Sequence, residues 1–247
     1  MSVARPEGPG LSHHPEASAE PQRERELGSP SVIIMARAPR RGEVLRALEP
    51  MLGAEGCAAL QSALIAEAHR WANEVAPGAV HVAHDPPDSA RELRALLGTD
   101  SALFPQNGDG ITGRLADAAA RVFGRSPGPL LIVWPDLPVF RPAHAHGALD
   151  DLRGGCDLVL GPVIDGGLYL IGFSKPLPSL FTLPEHVWRS RDVMAMSVAA
   201  VREAGLEIGL LRAERALHRP ADLRAALADP TLPEPLRRIL RGSRSSQ

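Results

Sequence analysis

The chain has 247 residues, 44% of them hydrophobic, which is ample for one sizeable core. A formal net charge of -2 and an aromatic share of 4% argue against a nucleic-acid partner, because neither a basic footprint nor a base-stacking platform is present. The two cysteines, Cys57 and Cys156, are far apart, which excludes a disulfide framework and fits a reducing cytoplasm; no apolar run is long enough to span a bilayer.

Residues 1–30 are rich in Pro, Ser, Glu and Gly and have no apolar h-region. They read as a disordered tail and not as a secretory signal. Val32–Met35 is a short apolar strand, followed by a loop carrying Arg37, Arg40, Arg41 and Gly42. Leu60, Leu64, Ala68, Trp71 and Val75 recur at helical spacing within a helix expected over 57–75. A strand over 79–83 precedes a helix over 88–97 that opens on Asp88 as an acidic cap. Helices follow over 114–123, 143–153, 192–204 and 220–228, with strands over 130–133, 158–160, 168–173 and 208–211. Residues 242–247 read as a frayed end. Strands alternating with helices over 31–241 predict one α/β domain whose sheet is mostly parallel and covered on both faces.

Two acidic residues stand where such a sheet places its ligands, at the carboxyl ends of strands. Asp136 follows the apolar run 130–133 and sits between Pro135 and Pro138. Asp165 lies between two strands and is followed by Gly166 and Gly167, whose lack of bulk lets a ligand approach the backbone. A strand-end carboxylate pair suits a metal–nucleotide site, although each Asp alone would also suit a turn. Gly108, Gly110 and Gly113 form a G-x-G-x-x-G before a helix. Strands precede it, whereas a dinucleotide fingerprint belongs to the first βα unit, so NAD(P) is disfavoured. With Arg114, the same loop has the makings of a site for a nucleotide's phosphates or base.

These residues resemble a glycosyltransferase-A-like family, the radical-SAM/selenodomain-associated (arsenosugar-biosynthesis) glycosyltransferases, related to phospholactate guanylyltransferases. The likeness spans roughly 32–227. Met35-Ala-Arg37-Ala-Pro39-Arg-Arg-Gly42, Pro105-Gln106 with Gly108 to Arg114, Trp134-Pro-Asp136-Leu-Pro138 and Trp188 to Val193 each resemble one of its segments. The block from Asp157 to Gly172 is similar to its D-x-V-L-G-P-x-x-D-G-G-Y-Y-L-I-G signature. The resemblance implies a three-layer nucleotide-diphospho-sugar transferase sandwich. It further implies Mg²⁺ or Mn²⁺ held by Asp136 and Asp165, both counted as catalytic. Arg37, Arg40, Arg41 and Gly42 would cradle phosphates, Gln106 and Arg114 would orient the nucleotide, and Gly166 and Gly167 would give Asp165 room toward an acceptor.

The chain departs from that pattern at chosen places. Leu45 stands where the family has lysine, and Lys175 is the only lysine in the chain. Ala216 and His218 replace an acidic pair, while Asp222 keeps the acidic residue that follows. Three readings stay open at this level. The first is a nucleotide-sugar glycosyltransferase, with a nucleotide-activated donor and a small-molecule acceptor as partners. The second is a nucleotidyltransferase acting on a small phosphorylated or carboxylic acid. The third is a fold homologue without catalysis. Oligomeric state is not legible.

Overall fold

The computed structural model describes residues 27–99, 101–126, 128–188, 190 and 192–242, without the side chains of 178 and 179. Seven strands make one sheet among them: β1 (Ser31–Arg37), β2 (Val80–Asp85), β3 (Ala102–Pro105), β4 (Leu130–Val133), β5 (Leu158–Pro162), β6 (Leu168–Phe173) and β7 (Ile208–Leu210). Their order is β3-β2-β1-β4-β6-β5-β7. All pairings are parallel except those of β6, which runs antiparallel to both β4 and β5. The sheet is thus mostly parallel, as expected, with one reversed strand that follows β5 through the short turn holding Asp165.

The continuous apolar run of β1 explains its central place. Val32, Ile34 and Ala36 are buried on one face, and Ile33 and Met35 on the other. Each such fully buried side chain contributes roughly 1.5–3 kcal/mol. The first face is covered by α1 (Glu49–Val75), α2 (Ala90–Leu97) and α4 (Pro142–Arg153) through Ile65, Trp71, Leu93, Ala145 and Leu149. The second is covered by α3 (Gly110–Phe123), α5 (Glu185–Trp188) and α6 (Val193–Glu203) through Leu115, Ala118, Val187 and Val201. The result is a three-layer sandwich. Trp71 ties the first layer together: its Nε1 donates to the Arg141 carbonyl at 3.0 Å, and its ring lies 4.9 Å from that of Phe140.

Several local expectations change. α1 begins at Glu49, eight residues early, and breaks at Gly53, whose φ is 67°. α2 is not opened by Asp88: Ser89 precedes its first turn, and Asp88 instead accepts from Arg40 at 3.0 Å. α3 starts at Gly110, within the glycine loop. Beyond α7 (Pro220–Ala228) lies α8 (Glu234–Gly242), which periodicity had not revealed. Leu236 and Leu240 of α8 bury against Leu48, Leu60 and Leu64, so the chain is still packed at the start of the expected frayed end. Residues 1–26 of the expected tail and 243–247 lie outside the described residues. Leu27 packs against the core, so order begins before Ser31. Among the described residues no helix is long and apolar enough to cross a membrane.

Candidate active site

β4 and β5 run parallel, so Asp136, beyond the end of β4, and Asp165, in the β5–β6 turn, emerge on the same edge of the sheet. The Asp165 turn is shaped by Gly166 and Gly167, with φ of 95° and 102°. Side-chain-bearing residues rarely adopt that region. Val163 N donates to Gly167 O at 3.1 Å and closes the turn. Upstream, a Cβ on Gly161 would lie 2.6 Å from Cζ of the Tyr169 ring. The glycines of the signature are therefore read by packing and by backbone conformation.

A third segment is laced between the two aspartates. Glu214 N donates to Pro162 O, Ile164 N donates to Glu214 O at 2.9 Å, and Leu217 N donates to Asp136 O at 2.9 Å. Residues 214–217 are thereby fixed to both turns, and His218 emerges between the carboxylates. His218 Nδ1 donates to Asp165 Oδ2 at 3.1 Å, and Nε2 faces Asp136 Oδ2 at 3.6 Å. Arg219 Nε lies 4.0 Å from Asp165 Oδ2. The backbone N–H groups of His218 and Arg219 both donate to buried Asp222, which also takes Arg215 Nη1 at 2.9 Å. Asp222 thus holds the segment and does not face the cleft.

The His218 pKa is pushed up to about 9, most by its contact with Asp136 and further by Asp165, against the opposing effect of burial. Distance ranks the two partners the other way. By geometry the 3.1 Å contact to Asp165 is the hydrogen bond, and the 3.6 Å contact to Asp136 is a charge contact. Asp136, Asp165, Gly166, Gly167, His218 and Arg219 line one cleft of about 320 Å³, with Trp134 and Trp188 as apolar walls. Trp188 Nε1 is buried without a hydrogen-bond partner among the described residues.

The remaining expected site residues lie elsewhere along the sheet edge. Arg37 and Arg114 meet at Asp85, the last residue of β2: Arg37 Nε lies 3.9 Å and Arg114 Nη1 3.4 Å from its carboxylate. Gln106 Nε2 donates to Ala83 O at 2.8 Å. Asp85 was missed, although the strand-end rule that selects Asp136 selects it as well. Arg40 already has acidic partners: it pairs with Glu92 at 2.6 Å and with Asp88 at 3.0 Å. Arg41 pairs with Glu55. Gly42 supplies a turn with φ of 72°. None of these six lines the carboxylate cleft. The N-terminus of α3, the candidate phosphate cradle, already carries a carboxylate: Ile111 N donates to Glu185 Oε2 at 2.7 Å.

Two carboxylates that face one imidazole do not offer Mg²⁺ or Mn²⁺ the oxygen set that the expectation needs. Mg²⁺ demands near-ideal octahedral oxygen ligation and Ca²⁺-like ions take oxygens as well. Here one oxygen of each carboxylate is directed at the same imidazole. Among the described residues no group of three or more His, Cys, Asp or Glu side chains is placed to hold a metal ion.

The sandwich and its strand-edge cleft define the nucleotide-diphospho-sugar transferase fold. The structure is similar to that of a protein from Desulfovibrio desulfuricans G20 provisionally described as a nucleotide-diphospho-sugar transferase, with a TM-score of 0.79 and 23% identity over 89% of this chain and 96% of that one. It is also similar, at a TM-score of 0.50 and 17% identity, to CMP:2-keto-3-deoxy-manno-octonic acid synthetase complexed with CTP, over 81% of this chain and 98% of that one. The bifunctional IspDF from Campylobacter jejuni is similar at a TM-score of 0.50 and 13% identity, over 80% of this chain and 54% of that one. The family model described as "Uncharacterized protein conserved in bacteria (DUF2064)" matches residues 56–185, more than half of the chain, and the chain belongs to that family. No curated protein matches it in sequence.

Proposed function

We propose that this protein transfers a sugar from a nucleotide-activated donor to a small-molecule acceptor. One observation carries the reading. Two strand-end carboxylates converge on one cleft at the carboxyl edge of a parallel sheet, and a second polar cluster of Asp85, Arg37 and Arg114 lies farther along that edge. β2 and β4 lie two strand spacings apart across β1, roughly 10 Å, a span that suits an extended ligand with the nucleoside at Asp85 and the transferred group at Asp165. The likeness to one protein provisionally described as a nucleotide-diphospho-sugar transferase supports a nucleotide-linked sugar as the donor class.

In this reading the acceptor hydroxyl oxygen forms a bond to the anomeric carbon while the bond from that carbon to the donor phosphate oxygen breaks. The electron pair leaves on the nucleoside diphosphate, and the hydroxyl proton passes to the outer oxygen of Asp165. Gly166 and Gly167 leave space for the acceptor, and Trp134 and Trp188 exclude water from one side. Two cysteines, Cys57 and Cys156, without the spacing of a disulfide framework fit a reducing compartment.

The test is a thermal-shift panel of nucleoside diphosphates, nucleoside triphosphates and nucleotide sugars on the wild type and Arg114→Gln. A ligand bound to the native state raises the midpoint. The expected result is a shift with one nucleotide sugar and its diphosphate that Arg114→Gln reduces. A shift confined to triphosphates would move the reading to nucleotidyl transfer. No shift with any nucleotide would leave a fold without this chemistry.

A further inference from the structure

In the candidate site, a basic side chain stands where two carboxylates would otherwise meet a metal. Both ring nitrogens of His218 face carboxylate oxygens, at 3.1 and 3.6 Å. A neutral imidazole would turn one lone pair toward an anion, so this placement between two carboxylates favours an N–H on each nitrogen. Arg219 adds a second positive charge, 4.0 Å from Asp165. Together the two basic residues carry the charge of one divalent cation, and they balance Asp136 and Asp165. The segment that presents them is fixed to both turns by backbone hydrogen bonds, and Asp222 holds its N–H groups. The backbone that carries both side chains is thereby fixed by the fold.

We propose that His218 and Arg219 take the place and the charge of a divalent cation in this cleft, so that the donor diphosphate binds here without a metal. The inference rests on the donor reading above. His218 screens the carboxylate pair from an incoming anion. Arg219, more than half exposed and on the rim, is the group free to reach a phosphate oxygen. The charge that a metal would carry into the site with the donor is covalently present before the donor arrives.

Two measurements on the full chain test this separately. The first uses Mn²⁺ alone, followed by electron paramagnetic resonance. Wild type is expected to show no saturable site, whereas His218→Asp and His218→Ala, which free the carboxylate pair, gain Mn²⁺ affinity by about ten-fold or more. Circular dichroism and the melting midpoint establish that each variant is folded; either one suffices. The second measures nucleoside diphosphate affinity by calorimetry in EDTA and in excess Mn²⁺. Wild type is expected to bind equally in both, while His218→Asn and Arg219→Gln each weaken binding in EDTA by about ten-fold. Saturable Mn²⁺ binding by wild type that Asp136→Asn removes would overturn the inference, as would nucleotide binding that EDTA abolishes. If no nucleotide binds under either condition, the donor reading fails, and the Mn²⁺ measurement still decides what holds the carboxylate pair.

Discussion

His218 Nδ1 donates to Asp165 Oδ2 at 3.1 Å while its other ring nitrogen faces Asp136, so one imidazolium joins the two acidic turns of the candidate site. Residues from the turn after β4, from the β5–β6 turn and from the segment before α7 meet at that ring. Any change in its charge is therefore felt by both turns.

The proton on His218 makes stability depend on pH. The folded pKa, about 9, lies above the unfolded value of 6.5. This contribution is fully present below pH 6.5 and is lost as pH rises to about 9. The wild-type melting midpoint is expected to fall across that window, and His218→Gln to fall less. Nuclear magnetic resonance of the imidazole adds a sign test. Asp136→Asn and Asp165→Asn each lower the titration midpoint, and the double variant brings it below the ordinary histidine value, because burial is then the largest remaining influence. A wild-type midpoint near 6.5 would contradict the charged bridge.

Gly108 is expected to be among the least replaceable residues of the glycine loop. Its φ is +107°, and a Cβ would lie 2.5 Å from the backbone carbon of Gly113, which cannot move aside as a side chain can. Gly108→Ala should cost at least about 2 kcal/mol, a fall of roughly 4–8 °C in melting midpoint. Gly205→Ala, just past α6, is the control: φ is +69°, but nothing lies within 4 Å of the added carbon. It should cost about 1 kcal/mol. Equal losses in denaturant titrations would show that the close approach to Gly113 does not matter.

The two buried tryptophans should respond differently to loss of the indole N–H. Trp71 Nε1 donates to Arg141 O, whereas Trp188 Nε1 is buried without a partner among the described residues. Trp71→Phe loses packing and leaves a buried carbonyl short of a donor; Trp188→Phe loses packing but relieves an unsatisfied group. Urea unfolding should find Trp188→Phe the milder change by about 1–2 kcal/mol. A larger loss at Trp188 would mean that its N–H has a partner in solution.

Restoring a lysine at Leu45 should not restore phosphate binding. Leu45 has φ of 49° and packs against the cluster that α1 shares with α7 and α8. An ammonium there faces apolar side chains unless it swings away, at a cost of about 1–3 kcal/mol. Leu45→Lys should lower the melting midpoint and leave the shift with nucleoside diphosphate unchanged. A larger ligand-induced shift would show that this loop faces the donor.

Much of the framework was legible in the chain itself. The runs at Val32–Met35 and Leu130–Val133 are apolar at every position, which only a strand buried on both faces requires, and the spacing of Leu60, Leu64 and Trp71 fixes the buried stripe of α1. From strand ends alone, Asp136 and Asp165 could be assigned to one edge, and they share one cleft. These are local signals, each written within a few residues. What decided the character of the site was not local. The insertion of β6 between β5 and β4 depends on pairing with β4, more than thirty residues away in sequence. Arg40 and Arg41 looked like phosphate ligands until folding gave them Glu92, Asp88 and Glu55 as partners. α8 carries too short a stripe to stand out before α1 offers it a surface. His218 follows Asp165 by 53 positions and belongs to no regular element. Only the backbone hydrogen bonds that lace 214–217 between two distant turns place its ring between two carboxylates, because a charge–charge contact depends on distance in space, which sequence separation does not encode.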